Sequence, residues 1–280
     1  MTQEPMTPEP VRPEPGWPGW IDLASPRPDE ARTFYCELFG WYSYTLNVPD
    51  YGDYTMFTLG DVQGPEVAGM QSLADDAQPP SWTCYFKVED LQETVDTVRA
   101  LGGQELIPPT NYAGIGSMAL CMDPEGVDFG VATPGNAIEF GIVNKPFAMC
   151  WAELACRDVQ EARRFYGGVF GWKAVDRDYY GSVYTNWKIG DWSVGGMVSM
   201  DDRWPPHYPP HWIPYFWVED CDAAAARATE LGGNVRIQPA DIQPGRYAMM
   251  TDPTGARLAI ITPRVIDGPG LSLGSPPGPP

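Results

Sequence analysis

The sequence predicts an α+β fold in which one domain is built twice in tandem. Three observations carry this. The chain repeats itself over most of its length, each repeat alternates short strands with two helices, and an Asp-Pro-x-Gly turn closes both copies. Trp20, Phe34, Tyr35, Gly40 and Trp41 recur as Trp151, Phe165, Tyr166, Gly171 and Trp172, each 131 positions later. "YTMFTLGD" from Tyr54 returns as "YTNWKIGD" from Tyr184, and "YFKVEDLQETVDTVRALGG" from Tyr85 as "YFWVEDCDAAAARATELGG" from Tyr215. The repeat is far longer than the roughly 20–50 residues of a solenoid unit, so each copy is a domain rather than a stacking element.

Within each copy the order reads βαβββ twice. In the first, "GWIDLAS" alternates as a short strand. "PDEARTFYCELFG" has an acidic start, helical periodicity and a glycine stop. "WYSYTLNV", "DYTMFTLGD" and "EVAGMQSL" read as three strands. "WTCYFKVED" is a strand, "LQETVDTVRALGG" a helix ended by Gly-Gly, and "QELIPP", "SMALCMD" and "VDFGVATP" three further strands. The expected domains are 17–136 and 149–265, joined by a linker at 137–148, with Pro/Gly-rich tails at 1–16 and 266–280 expected to be disordered.

Composition narrows the function. The formal net charge is −19, so a phosphate backbone or an anionic membrane would be repelled. No stretch approaches the roughly 18–20 apolar residues of a membrane span, and "MTQEPMTPEPVRPEPGWPGW" lacks the regions of a signal peptide. A cytoplasmic protein is expected. None of the six cysteines forms a C-x-x-C pair, and they read as buried free thiols. The two histidines, His207 and His211, are four apart in "HYPPHW", and the intervening prolines forbid the helical spacing that suits a metal.

A strand, an acidic-start helix ending "FY…FGW", a strand–helix ending "LGG" and a "DPxG" before the last strand, all twice, resemble the vicinal oxygen chelate superfamily: the glyoxalase, bleomycin-resistance and extradiol-dioxygenase fold. The resemblance covers about residues 18–135 and 149–264 and is greatest to tandem-domain actinobacterial members, some found beside antibiotic-biosynthesis genes. It implies βαβββ modules curling around a cavity and two domains packed as a pseudo-dimer, giving a monomer or a homodimer. It also implies metal ligands on the first, fifth and eighth strands of a domain. The matching positions here hold Trp20, Thr83 and Gly130, and Trp151, Ile213 and Ala259. An indole nitrogen only donates, and Ile, Gly and Ala offer no side-chain ligand. No metal and no other cofactor are expected.

Residues two apart share a strand face. If the vacated positions face the cavities, the first domain adds Asp22, Tyr85, Lys87 and Asp128, and the second adds Glu153, Tyr215, Trp217 and Arg257, with His211 at the rim. Trp20 and Trp151 would wall these pockets or simply fill them as core. Asp22 and Glu153 are the candidate catalytic groups, because a carboxylate among aromatic rings has a raised pKa suited to proton transfer. An open pocket and no fixed cation partner would favour catalysis; the alternative is a hydrogen-bonded structural acid or a partner for a local cation such as Arg257 or Lys87. The second domain carries the richer set.

These residues point to a metal-independent protein of specialised, antibiotic-type metabolism that binds an aromatic or polyketide-like compound. The expected chemistry is acid/base: an isomerase, cyclase, lyase or hydroxylation-assisting enzyme. The alternatives are a protein that sequesters an antibiotic, a non-catalytic scaffold with self-filled pockets, and, disfavoured, a metal-dependent glyoxalase-like enzyme.

Overall fold

The computed structural model describes residues 15–48, 52–73, 78–112, 116–134, 141–179, 182–202 and 204–264. The first half contains β1 (Pro18–Ser25), α1 (Pro28–Phe39), β2 (Tyr42–Val48), β3 (Gly52–Thr58), β4 (Glu66–Ser72), β5 (Ser81–Lys87), α2 (Leu91–Ala100), β6 (Gln104–Tyr112), β7 (Gly116–Met122) and β8 (Asp128–Pro134). The second repeats the series as β9 (Met149–Cys156), α3 (Val159–Phe170), β10 (Lys173–Tyr179), β11 (Ser182–Ile189), β12 (Trp192–Ser199), β13 (His211–Trp217), α4 (Cys221–Glu230), β14 (Asn234–Ile242), β15 (Gly245–Thr251) and β16 (Arg257–Pro263). Apart from Pro15 and Gly16, both terminal tails expected to be disordered lie outside the described residues, as does linker segment 137–140.

Each half forms one curled eight-stranded sheet, ordered β2-β3-β4-β1-β5-β8-β7-β6 and β10-β11-β12-β9-β13-β16-β15-β14. The two βαβββ modules of a half meet where β1 pairs antiparallel with β5, and β9 with β13. Helix ends follow local chemistry. Pro28 opens α1, and Gly40 and Gly171, both at φ 68°, stop α1 and α3 in the left-handed conformation. The last Asp of each "VED" is an N-cap: Asp90 accepts from the Glu93 amide and Asp220 from the Ala223 amide.

The repeated motifs turn out to tie the halves together. The Tyr35 hydroxyl, on α1, donates to Asp252 of the second half at 3.0 Å, and the Tyr166 hydroxyl, on α3, donates to Asp123 of the first at 2.9 Å. The other oxygen of each aspartate is held by backbone amides of its own Asp-Pro-x-Gly turn. Trp82 and Trp212 indoles donate to the two tyrosines. The tryptophans of "FGW" do the same across the junction: Trp41 donates to the Phe147 carbonyl and Trp172 to that of Gly16. One apolar core runs through both halves, with Phe39 against Phe216 and Phe86 against Phe170. Two smaller clusters lie apart from it, around Trp20 and Tyr85 in the first half and Trp151 and Tyr215 in the second. These clusters mark the concave faces. Cys36 is partly exposed and the other five cysteines are buried, all as free thiols. No helix among the described residues is long and apolar enough to cross a membrane.

Candidate functional site

Each concave face holds a buried carboxylate clasped by phenol and indole groups. In the first half β1 carries Trp20 and Asp22, β3 carries Tyr54 and β5 carries Tyr85. Asp22 is 4% exposed. Its Oδ1 accepts from the Trp20 indole at 3.0 Å and from the Tyr54 hydroxyl, and Tyr85 also hydrogen-bonds to the carboxyl. Burial outweighs these donors and lifts the carboxyl to about 6. In the second half Glu153, 3% exposed, takes Tyr184 on Oε2 at 3.0 Å and Tyr215 on Oε1 at 3.1 Å. Trp151 donates to the Tyr184 hydroxyl at 3.0 Å rather than to the acid. Here burial lifts the carboxyl to about 7, again against its hydrogen bonds. Tyr54 and Tyr85 beside Asp22, and Tyr215 beside Glu153, are held well above the usual phenol range, chiefly by burial.

One glycine makes each clasp possible. Tyr54 lies two strands from Asp22, with β4 between, and crosses over Gly69, where any Cβ would overlap the Tyr54 hydroxyl and the Asp22 carboxyl. Tyr184 crosses Gly196 in the same way. Tyr54 and Tyr184 are the functional candidates that the strand-face argument missed, because they reach the acid from a non-adjacent strand. The signal was present: a glycine in a strand interior marks close approach of another group, and "EVAGM" and "VGGMV" both have one.

The strand-face argument also misplaced several residues. It puts Lys87, Asp128 and Arg257 in the two cavities and His211 at the rim of the second. The structure sets Lys87 in a separate depression with Gly16, Asp90 and Phe170. Asp128, His211 and Arg257 come together in a cleft between the halves. Parity fixes a side chain's face but not its position along the strand. Asp128 and Arg257 are the first residues of β8 and β16, and His211 is the first of β13, where the strands leave the curled part of the sheet. Trp217 packs on the aromatic cluster of the second concave face.

The first concave face encloses about 80 Å³, lined by Asp22, Tyr54, Gln71, Tyr85, Tyr112 and Met118 among others. A second difference between halves lies beside Glu153. Across the strand pairs Glu153, Gly196 and Asn186 form one row on the concave face, as Asp22, Gly69 and Met56 do in the first half. Asn186 is fully buried, and neither its amide oxygen nor its nitrogen has a hydrogen-bond partner.

The three strand positions that hold metal ligands in the resembled superfamily do not fit a metal here. The Trp20 and Trp151 indole N–H groups are already committed as donors. The space a side chain at Gly130 would need is filled by the Tyr85 ring. No group of three or more His, Cys, Asp or Glu is placed to hold a metal ion among the described residues.

Residues 17–131 and 148–260 each match the model of the Glyoxalase/Bleomycin resistance protein/Dioxygenase superfamily. The chain is 35% identical over 251 residues to CFP32 of Mycobacterium bovis, a protein provisionally named a glyoxylase, covering 89% of this chain and 95% of that one. It is 33% identical over 257 residues to the anthracycline biosynthesis protein DnrV of Streptomyces peucetius, covering 88% and 93%. Among solved structures, the Mn(II)-bound glyoxalase from Novosphingobium aromaticivorans superposes with a TM-score of 0.63 at 14% identity, over 89% of this chain and 82% of that one. The 2,3-dioxygenase LapB from Pseudomonas sp. KL28 does so with 0.61 at 17% identity, over 92% and 97%. At those identities the likeness concerns the fold.

Proposed function

The chain belongs to the Glyoxalase/Bleomycin resistance protein/Dioxygenase superfamily, and we propose that it binds a small aromatic or polyketide-like compound of specialised metabolism and moves protons on it with Glu153, without a metal at the three strand positions. The observation that carries this is the Glu153 clasp: a buried carboxyl lifted to about 7, with no cation partner among the described residues, whose hydrogen bonds come from two neutral tyrosine hydroxyls and do not hold it permanently ionised. Near neutral pH such a group is divided between its two protonation states, the condition under which one side chain accepts and returns a proton efficiently. Tyr184 and Tyr215 stabilise the ionised form. When Glu153 takes a proton it needs one of them less, and that hydroxyl is free to turn towards a ligand oxygen.

The first concave face is small for an aromatic ring. A cavity of roughly 150 Å³ is what takes up benzene, whereas the first concave face encloses about 80 Å³. An aromatic ring enters there only if side chains move. The metabolic setting rests on the 33% identity to a protein named for anthracycline biosynthesis.

The test uses a hydroxyanthraquinone polyketide aglycone as probe, with binding read by quenching of tryptophan fluorescence and conversion read by absorbance and mass. Glu153→Gln keeps the shape and removes the charge. Conversion should fall by roughly 10²–10⁴-fold with binding within a few-fold. Conversion unchanged in both Glu153→Gln and Asp22→Asn contradicts the carboxylate chemistry. Tight binding with no conversion by the wild-type protein favours sequestration instead.

A further inference from the structure

The cleft between the halves uses none of the residues of the proposed proton-transfer site. It encloses about 250 Å³. Its apolar lining comes from Pro79, Pro80 and Trp82 of the first half and Pro209, Pro210 and Trp212 of the second. Its charged groups form no ion pair among the described residues. Arg257 makes no ion pair among the described residues; its guanidinium lies 4.2 Å over the Tyr208 ring, which fixes its orientation without using its N–H donors. His211 packs against the same ring, at 5.5 Å between centroids, and its Nδ1 meets the Pro209 carbonyl at 3.0 Å. A carbonyl only accepts, so Nδ1 carries the proton. Burial and the neighbouring Arg257 push the imidazole down to about 4, so it is neutral near pH 7 and Nε2 is an acceptor. Asp128, on the wall contributed by the first half, also forms no ion pair among the described residues.

We propose that this cleft is a third ligand site, which takes a small α-hydroxy monocarboxylate with an apolar tail. Arg257 presents a planar fork of donors suited to a carboxylate. The Nε2 of His211, beside it, accepts from the hydroxyl. The proline walls take the tail, and Asp128 opposes a second anionic group. The volume admits a compound of amino-acid size and falls short of the roughly 300–1,000 Å³ of a drug-sized pocket.

Calorimetric titration of the full chain with 3-phenyllactate, 3-phenylpropionate and malate tests the assignment. Phenyllactate should bind, phenylpropionate about 10-fold more weakly for want of the hydroxyl, and malate not measurably. Arg257→Gln should weaken both phenyl acids by 10-fold or more, the range expected for a charge-assisted hydrogen bond. His211→Leu should weaken phenyllactate to the level of phenylpropionate and leave phenylpropionate unchanged. Arg257→Lys, which keeps the charge and loses the fork, reads the same contact if the Gln variant does not fold. Failure of phenyllactate to bind overturns the site, as does binding that neither Arg257 variant nor His211→Leu alters. Malate binding as tightly as phenyllactate overturns the role given to Asp128 and with it the monocarboxylate class. None of these results bears on Glu153, so the proton-transfer reading stands or falls separately.

Discussion

Asp22 and Glu153 occupy the same place in the two halves and are held by different wiring. The shorter acid gathers its donors on one oxygen: the Trp20 indole and the Tyr54 hydroxyl both reach Oδ1. The longer acid spreads them, one tyrosine to each oxygen, and its tryptophan is pushed back to the Tyr184 hydroxyl. Three donors leave Asp22 at about 6 and two leave Glu153 at about 7. Burial is the largest cause in both, and the two acids start from ordinary values of 3.8 and 4.5, so much of the gap is that between an aspartate and a glutamate. The surroundings differ as well. Gln71 and Tyr112 line the first cavity, and the matching strand positions in the second half are Val198 and Ile242. One methylene and a few apolar exchanges separate two sites built on a common scaffold.

The largest effect should come from closing the gap under the tyrosines. Gly196→Ala and Gly69→Ala force Tyr184 or Tyr54 off its acid. Overpacking and a buried carboxylate stripped of a donor should together cost about 3 kcal/mol in denaturant unfolding. Gly196→Ala should also abolish conversion of the probe while Gly69→Ala leaves it. Equal loss in both would erase the functional distinction between the halves.

The pH dependence of stability comes next. Both folded carboxyls are raised, so the folded state binds more protons than the unfolded chain between the two pKa values. Their stabilising contribution is complete below the ordinary values of 3.8 and 4.5 and is lost as pH rises, up to about 6 for Asp22 and about 7 for Glu153. His211, held down at about 4 against an ordinary 6.5, acts in the opposite direction over that interval. From pH 6.5 to 8 only the Glu153 decline remains of these three. The thermal midpoint should fall across that range in the wild type and stay flat in Glu153→Gln, whereas Asp22→Asn should keep the wild-type slope.

The interdomain ties should behave alike. Tyr35→Phe and Tyr166→Phe each leave a buried carboxylate oxygen short of a donor and should cost about 2 kcal/mol, equally, since the two contacts are symmetry copies. Unequal costs would show that one half carries the junction.

The smallest effect should be a gain. Asn186→Met restores the residue of the first half and removes a buried amide with no partner, and should stabilise the protein by about 1 kcal/mol. Weaker probe binding in that variant would make Asn186 part of the ligand site.

Much of this was legible in the sequence, for reasons that vary by residue. The duplication, the strand and helix order and the Asp-Pro-x-Gly turns were readable because repetition and local periodicity are properties of the chain itself. Trp20, Asp22, Tyr85 and their counterparts were readable as neighbours because β1 pairs directly with β5. Tyr54 and Tyr184 were not, because their contact crosses an intervening strand and depends on a glycine. The motif tyrosines Tyr35 and Tyr166 suggested a family, yet their partners Asp252 and Asp123 sit in the opposite half, and no pattern within one repeat shows that. Asp128 and Arg257 were drawn to the wrong cavities, and His211 to the rim of one, because strand parity says nothing about where a curled sheet ends.

The most direct test of the account is titration of the two carboxyl groups by ¹³C NMR, with Asp22→Asn and Glu153→Gln used to assign the signals. Glu153 should titrate at about 7 and Asp22 at about 6. Titration of both below about 5, in the range ordinary for exposed carboxylates, would contradict it.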